Sequence, residues 1–320
     1  MNRTGKGFYP HSAGKVSILL SLYHPDPVFL KEQLISLNEQ DYPDIELLVW
    51  NDCPEEKIDY ELFDQCITHF PIHCYDEGIN LGYTKAFERL TELATGKYVS
   101  YCDQDDIWLS SKIRRCIEEI EKNNAVAAVC NRSLIDQNGN LVCKSVRDAE
   151  TGDRFTWRTG DHITPRAAFF SYCTGMTLVA KREEIVRFLP LNSKLPHDQQ
   201  LIFFLSAAGV IVSMEEALVK QRIHGNNSSG TLAGISKKED YYIKRCIPID
   251  EMLCRYEKLH PDDPELSDMK ECCKARIQGD VFGLLKYRRL IPELYKYEIG
   301  LSFCPGFLFV WYLRQRNKKI

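Results

Sequence analysis

The sequence predicts an α/β fold in which a mostly parallel central sheet is flanked by helices, with a helical C-terminal extension. Four apolar strands alternate with helical segments through short connections between Val16 and Cys102, and parallel strands need helical crossovers of this kind. The rest of the chain beyond the last strand is helical in pattern. We expect a flexible N-terminus over 1–15, a sheet domain over 16–230 and a helical region over 231–320.

Local signals define the individual elements. Asp26-Pro27 supplies the N-cap and first residue of a helix that reaches about Gln40, and Asn138-Gly139 is the strongest hairpin signal. A charged, irregular loop is expected over 144–166. The other predicted elements are strands over 16–23, 45–50, 72–75, 97–102, 125–130, 171–180 and 217–224, and helices over 55–69, 81–94, 112–122 and 197–208.

Composition excludes several classes of protein. The 320 residues can bury a sizeable core, and 44% hydrophobic with 27% charged residues is typical of a soluble globular protein. A net charge of −4 gives no footprint for nucleic acid. The thirteen cysteines form no Cys-x-x-Cys pair, and no secretory signal begins the chain, so we expect a reduced, cytoplasmic protein. No run of apolar residues is long enough to span a membrane.

The most informative stretch is the acidic run Asp103-Gln104-Asp105-Asp106, which directly follows the predicted strand 97–102. The carboxyl ends of strands in a parallel sheet face a ligand crevice. Clustered carboxylates repel one another unless a cation such as Mg²⁺ or Mn²⁺ neutralises them. The alternative is a solvated loop that caps the next helix, but Ser110 and Ser111 already offer that cap.

Further polar groups lie at other predicted strand ends and helix starts. By themselves, Asp198 would be interpreted as a helix cap and His224 as an ordinary hydrogen-bonded histidine. Strand ends of an α/β sheet converge on one crevice, so we expect these groups to meet there. The set comprises Ser21, Tyr23, Asn51, Asp52, His197, Asp198 and His224.

The order of these motifs resembles a family 2 glycosyltransferase with the GT-A fold. It resembles in particular a bacterial subgroup that makes cell-surface polysaccharides, includes rhamnosyltransferases and carries Asp-Gln-Asp-Asp-Ile-Trp. The likeness covers roughly residues 16–230. The matching motifs are the Ser-x-Tyr exit of the first strand, the second strand ending in Asp, Asn80-Leu81-Gly82 before a helix, the Asp-x-Asp, and Arg222-Ile223-His224-Gly225-Asn226-Asn227.

The resemblance implies a role for each matching residue. Asp52 would bind the pyrimidine base of a nucleotide sugar, Tyr23 would line it, and Asp103 would approach the ribose. Trp108 would pack beneath the metal loop or stack on a sugar. The implied donor-binding residues are Ser21, Tyr23, Asp52, Asn80, Gly82 and Asp103; the implied ligands of Mg²⁺ or Mn²⁺ are Asp105 and His224, and the implied catalytic base is Asp198. Apart from the resemblance, Lys85 lies early in its helix, where its positive charge would act on the donor phosphates.

Two positions depart from the family pattern. The chain has Asn51-Asp52-Cys53-Pro54 where Asp-Asp-Gly-Ser is usual, so base recognition rests on Asp52. It has His197-Asp198 where Glu-Asp is usual. We expect this histidine to retune the pKa of Asp198 or to alter contacts with the acceptor, while the N-terminus of its helix keeps Asp198 ionised.

The expected function is an inverting, metal-dependent transfer of a sugar from dTDP-rhamnose or a UDP-hexose to a growing bacterial surface glycan. The acceptor would be lipid-linked or a polysaccharide. The alternatives are a non-catalytic glycan-binding or scaffold protein, and a nucleotidyltransferase. The latter normally has a glycine-rich, basic phosphate loop, which Leu22-Tyr23-His24-Pro25 is not.

The end of the chain suggests a location. Residues 301–313 are rich in aromatic and aliphatic side chains, and a basic run follows them. Such a segment suits an interfacial helix on an anionic membrane surface, here the inner face of the cell membrane. The alternative is an ordinary terminal helix that packs on the domain. The candidate membrane-contacting segment is 301–320.

Overall fold

The computed structural model describes residues 14–148, 157–225 and 234–317. Nine strands of these residues form one sheet. They are β1 (Val16–Leu22), β2 (Ile45–Asn51), β3 (Ile72–Tyr75), β4 (Tyr98–Cys102), β5 (Ile107–Trp108), β6 (Ala127–Ile135), β7 (Leu141–Cys143), β8 (Leu178–Lys181) and β9 (Ile211–Arg222). Their order across the sheet is β3-β2-β1-β4-β8-β6-β9-β5, and β7 pairs with β6.

The helices cover both faces of this sheet and form the C-terminal region. They are α1 (Pro27–Asn38), α2 (Tyr60–Cys66), α3 (Tyr83–Leu93), α4 (Lys112–Lys122), α5 (Thr164–Ala167), α6 (Arg182–Val186), α7 (His197–Ala208), α8 (Lys238–Tyr241), α9 (Ile247–Leu259), α10 (Leu266–Gln278), α11 (Val281–Lys286), α12 (Tyr295–Phe303) and α13 (Gly306–Asn317). The predicted α/β fold with a helical C-terminal region is therefore present.

The sheet is parallel in its first half and mixed in its second. Strands β3, β2, β1 and β4 pair in parallel, as the alternation of strands and helices predicted. Strand β8 lies antiparallel between β4 and β6, whereas β6 and β9 pair in parallel. An antiparallel strand inserted this way needs no crossover helix, so the sequence pattern gave no sign of its direction.

Several element boundaries differ from the predictions. The expected strand over 171–180 is reduced to β8, because a 3₁₀ turn occupies Gly175–Thr177. The expected helix over 55–69 is shorter, since it begins only at the cap Asp59, whose carboxylate accepts the Leu62 N–H. The Asp26 cap of α1 is confirmed, as its carboxylate accepts two N–H groups of the first turn.

Apolar side chains on the two faces of the sheet form two separate cores. On β1, Leu19 faces the core that α3 and α7 cover, while Ile18 and Leu20 face α1 and α4. This alternation is the period-two pattern of a strand buried on both faces. Helices α9 and α10 extend the first core through Leu253, Met269 and their neighbours. The C-terminal helices thus pack directly on the sheet domain.

Two of the expected segments lie wholly or partly outside the described residues. The expected flexible N-terminus lies outside the described residues except for 14 and 15, and so do 149–156 of the expected loop. All thirteen cysteines are within the described residues, and none forms a disulfide. No helix in the described ranges combines the length and apolarity needed to cross a bilayer.

Candidate active site

The acidic run after β4 forms a turn that leads directly into β5. The β5 residues Ile107 and Trp108 pair antiparallel with Lys220 and Val219 of β9. Both ends of the acidic turn are therefore held by the sheet. This pairing brings the end of β9, which carries Arg222 and leads to His224, next to the carboxylates.

Arg222 braces the acidic turn from β9. Its side chain is buried, and its Nε donates to the Asp105 carbonyl oxygen at 2.9 Å, while its backbone N–H donates to Asp106 Oδ1 at 2.9 Å. The guanidinium also pairs with Glu32 of α1 and lies 4.4 Å from the centroid of the Phe29 ring. A planar guanidinium can make such contacts in several directions at once.

A second buried cation lies beneath the same turn. Lys112 is fully buried, its Nζ donates to Ser100 Oγ at 2.9 Å, and it lies 3.0 Å from the Trp108 ring centroid. Burial lowers the pKa of Lys112 to about 8. Trp108 is only 2% exposed. It therefore packs beneath the acidic turn, and the expectation that it could stack on a sugar is wrong because the ring is not accessible.

The carboxylates of the turn are destabilised in their charged form. Burial and then the charges of Asp105 and Asp198 raise the pKa of Asp103 to about 7. Burial raises the pKa of Asp106 well above its usual range, with Asp103 and Asp105 adding to the effect. His224 Nε2 lies 2.7 Å from Asp105 Oδ2. The site thus gathers negative charge that its own cations balance only in part.

Asp198 lies in the first turn of helix α7, and its charge acts on Asp103 of the acidic turn. Its Oδ1 accepts the Gln199 N–H at 2.8 Å. Burial raises the pKa of Asp198 to about 6, while Gln199, Arg132 and Ser171 oppose the rise. We expected the helix N-terminus to keep Asp198 ionised. Burial has the larger effect and raises its pKa, but a carboxyl with a pKa of about 6 is still mostly ionised at pH 7.

His197 points away from this chemistry into an aromatic cluster. Its ring lies 4.4 Å from the Phe87 ring and 5.2 Å from the Tyr101 ring, centroid to centroid. Burial lowers its pKa to about 3, and among the described residues neither ring nitrogen has a hydrogen-bond partner. The expected retuning of Asp198 by His197 is absent, because burial is the main cause of that pKa shift.

The ends of β1 and β2 form the side predicted to bind the donor. Gln104 of the acidic turn supports the end of β1, and the segment around Leu81 supports the end of β2. Gln104 makes two hydrogen bonds of 2.9 Å with the backbone N–H and carbonyl of Tyr23, whose side chain is exposed. Asp52 Oδ1 accepts the Leu81 N–H at 2.6 Å. Burial raises the pKa of Asp52, which is 3% exposed. These contacts fix the walls of the crevice.

The remaining predicted donor residues vary in their surroundings. Asn80 Oδ1 accepts the Gly82 N–H at 3.0 Å, and Gly82 caps α3 with φ +75°, a conformation that favours glycine. Ser21 is partly buried near the end of β1 beside Trp50 of β2. Lys85 Nζ lies 2.9 Å from the Glu88 carboxylate, so its charge is already paired.

Four supporting residues were not predicted: Glu32, Gln104, Lys112 and Arg222. Gln104 lies between the two aspartates of the acidic motif, and Arg222 begins the motif that contains His224. Their places in these motifs could have indicated that they belong to the site. Lys112 and Glu32 are ordinary helix residues in the sequence. Only the packing of α1 and α4 against the acidic turn reveals their part.

The donor set fits a hard divalent cation. Asp105 offers a carboxylate oxygen, a ligand that suits Mg²⁺ and Mn²⁺, and His224 Nε2 lies 2.7 Å from it. Magnesium is commonly held by one or two carboxylates together with substrate phosphates rather than by a complete protein cage. Burial, and after it the charges of Asp105 and Asp198, raise the pKa of Asp103, and a bound cation would offset both effects.

The α/β fold and the acidic turn define a glycosyltransferase of the GT-A type, and comparison with known proteins agrees. The chain belongs to glycosyl transferase family 2, whose profile matches residues 17–178, about half of its length. An uncharacterized glycosyltransferase of Nostoc sp. is 23% identical over 71% of this chain and 70% of its own. TuaG of Bacillus subtilis, whose name assigns it to teichuronic acid biosynthesis, is 23% identical over 70% of this chain and 84% of its own.

Solved structures share the fold at low identity. TarS of S. aureus (residues 1–349, in complex with UDP) superposes with a TM-score of 0.56 at 16% identity, over 90% of this chain and 88% of that fragment. The mannosyltransferase PcManGT of Pyrobaculum calidifontis, in complex with GDP-Man and Mn²⁺, gives a TM-score of 0.54 at 15% identity, over 96% of this chain and 80% of its own. The rhamnosyltransferase likeness is not among these findings.

We predict that Gly175→Ala destabilises the protein through His197. A Cβ at Gly175 would lie 2.6 Å from His197 Nε2, and the ring is held by its aromatic neighbours, so we expect a loss of about 1–3 kcal/mol in the free energy of unfolding. Urea denaturation measures it. Gly300→Ala is the control, since a Cβ there meets nothing within 4 Å. If the losses in free energy of unfolding of Gly175→Ala and His197→Ala simply add in the double variant, the methyl group added at Gly175 does not clash with the His197 ring.

Proposed function

We propose that this glycosyltransferase is an inverting, metal-dependent enzyme with Asp198 as its catalytic base. The observation that carries the proposal is the position of Asp198, whose negative charge acts on Asp103 in the acidic turn. A base is required because the acceptor hydroxyl must lose a proton as it attacks the anomeric carbon. With its pKa raised to about 6, Asp198 is ionised at neutral pH and basic enough to take that proton.

The acidic turn would hold the donor diphosphate through a divalent cation. Mg²⁺ or Mn²⁺, bound to Asp105 and His224, would supply positive charge for the leaving diphosphate. Arg222 and Lys112 lie too deep to touch the donor, so they position the turn. The rigid placement of Asp105 between β4 and β5 keeps its carboxylate ready without reorganisation.

The donor base would lie along the walls that end β1 and β2. Gln104 holds the backbone of Tyr23, and the Tyr23 ring is exposed, so the ring can stack on a nucleobase. Asp52, Asn80 and Gly82 form the opposite wall, while Ser21 lines the floor and Asp103 approaches the ribose. Lys85 acts on the phosphates only if it leaves its partner Glu88.

A pyrimidine nucleotide sugar is the proposed donor, with dTDP-rhamnose or a UDP-hexose as candidates. TarS structures in complex with UDP and UDP-GlcNAc support the uridine type, whereas GDP-Man in PcManGT supports a purine alternative. The relation to TuaG supports a bacterial surface glycan as product, with a polysaccharide or lipid-linked acceptor. Membership in the family weighs against a nucleotidyltransferase or a glycan-binding scaffold.

We expect UDP or dTDP to raise the Tm of the protein only with Mn²⁺ or Mg²⁺, because the cation links the diphosphate to Asp105. Differential scanning fluorimetry with UDP, dTDP and GDP measures the shift. Asp105→Ala should abolish it. Asp268→Ala, at an exposed carboxylate of α10, should retain it. An equal shift in Asp105→Ala would refute the proposed metal ligand.

We expect Asp198→Asn to lower kcat by about 10²-fold or more, since the amide accepts no proton. The wild-type rate should fall as pH drops through about 6, because the protonated carboxyl cannot act as base. Release of nucleoside diphosphate, measured between pH 5 and 8 with a glycan acceptor, tests both. The Tm of the variant should not fall, because a partly buried charge is removed. If the residual rate of Asp198→Asn still falls as the pH drops through about 6, Asp198 is not the group whose protonation causes that fall.

We also propose that helices α12 and α13 contact the anionic inner face of the cell membrane. Helix α13 packs Phe309 and Leu313 inward, while Phe307 and Trp311 are exposed on the other side, and Phe303 at the end of α12 is exposed beside them. A basic run follows this apolar surface. Such a combination binds lipid headgroups and the adjacent acyl region.

Co-sedimentation with vesicles tests the membrane proposal. We expect the protein to bind vesicles rich in phosphatidylglycerol several times more strongly than neutral vesicles, because the basic flank is attracted to anionic lipid. Phe307→Ser/Trp311→Ser should reduce the binding. Phe282→Ser, at an exposed phenylalanine of α11, serves as the control. Equal binding by the double variant, or no binding by the wild type, would leave α13 as an ordinary terminal helix.

A further inference from the structure

The loops that follow β1 and β2 bring together three side chains with no part in the chemistry above. His24 lies in the loop after β1, and Cys53 and Glu56 lie in the segment after β2. Their potential ligand atoms are all within 4.8 Å of one another, and among the described ranges they are the one group of three such residues that meets this distance. The cluster joins two loops that are distant in sequence.

We propose that His24, Cys53 and Glu56 bind a thiophilic divalent cation such as Zn²⁺, separate from the cation at Asp105. Thiolate, imidazole and carboxylate are the usual protein ligands of zinc, and three of them leave a fourth tetrahedral position for water. One thiolate and one carboxylate would also neutralise the two charges of the ion.

One of the two measured distances already fits tetrahedral coordination. Bonds of about 2.3 Å to sulfur and about 2.0 Å to nitrogen place these two ligands about 3.5 Å apart at the tetrahedral angle. Cys53 Sγ and His24 Nδ1 are 3.5 Å apart. His24 Nδ1 and Glu56 Oε1 are 2.6 Å apart, a hydrogen bond. This pair must open by roughly 0.7 Å to admit an ion.

The burial of the three side chains permits that adjustment and gives the ion access. The side chains of His24 and Glu56 are 55% and 49% exposed, so they can separate without displacing packed neighbours. Cys53 is 1% exposed and lies beneath them. An ion arriving from solvent therefore meets the imidazole and carboxylate first and then the sulfur.

A zinc ion binds the sulfur of Cys53 as the thiolate. A bound divalent cation displaces the thiol proton to solvent, as metal binding to cysteine generally does. Sulfur then selects Zn²⁺ over Mg²⁺, which prefers oxygen ligands.

The cluster lies at the edge of the proposed base-binding crevice. His24 follows Tyr23 and their rings make an edge contact at 4.4 Å, and Cys53 follows Asp52. A bound ion would cross-link the two walls that carry Tyr23 and Asp52. Its effect is to hold these walls at a fixed separation before any nucleotide binds.

Titration with Co²⁺ as a spectroscopic substitute tests the proposal on the full chain, stripped of metal and without nucleotide. We expect one equivalent to give a thiolate-to-cobalt absorption band that one equivalent of Zn²⁺ removes. Cys53→Ser should lose the band, and His24→Gln should weaken Co²⁺ binding at least tenfold. Cys254→Ser, at an exposed cysteine of α9, and Asp105→Asn should retain it.

Each outcome decides the proposal independently of the glycosyltransferase chemistry, because no donor is present. Absence of the band in the wild type, or a band of full intensity in Cys53→Ser, overturns it. Equal Co²⁺ affinity in His24→Gln overturns it as well. Melting of the metal-free variants checks their folding. Should Cys53→Ser fail to fold, the wild-type titration and His24→Gln decide the matter between them.

Discussion

Burial of several neighbouring carboxylates at the end of β4 is the constraint that shapes this site. Asp103, Asp105 and Asp106 lie within four residues of chain, and Asp198 adds its charge from α7. Two buried cations make the arrangement tolerable. Lys112 lies below the turn against Trp108, and Arg222 holds it from β9. The raised pKa of Asp103 indicates that this compensation is incomplete, which leaves the crevice suited to a divalent cation.

The mixed second half of the sheet makes this compensation possible. Strand β9 lies three places from β4 in the sheet order, yet it pairs with β5, which directly follows the acidic turn. That pairing delivers Arg222 and His224 to carboxylates that precede them by more than a hundred residues. A charge cluster held at both ends by strands needs little reorganisation when a substrate binds, which is the condition for electrostatic stabilisation of a leaving group.

Adjacent residues at the start of α7 have opposite environments. His197 is enclosed by Phe87 and Tyr101, and burial lowers its pKa to about 3. The charge of Asp198 acts on Asp103 of the acidic turn, and burial raises the pKa of Asp198 itself to about 6. Burial moves both groups toward their neutral forms. The histidine becomes part of the core, and only the aspartate keeps a charge that changes near neutral pH.

The sequence by itself determined the first half of the fold and the position of the acidic run after β4. Period-two and helical apolar patterns, with caps such as Asp26, are local properties, so strands β1 to β4 and helix α1 could be predicted near their true positions. The acidic motif and its place after a strand likewise followed from neighbouring residues. The antiparallel direction of β8, the inward turn of His197 and the bracing by Lys112 and Arg222 depend on contacts between segments far apart in the chain. Only the tertiary structure decides these features, because burial and the balance of charge belong to the packed molecule and to no single stretch of sequence.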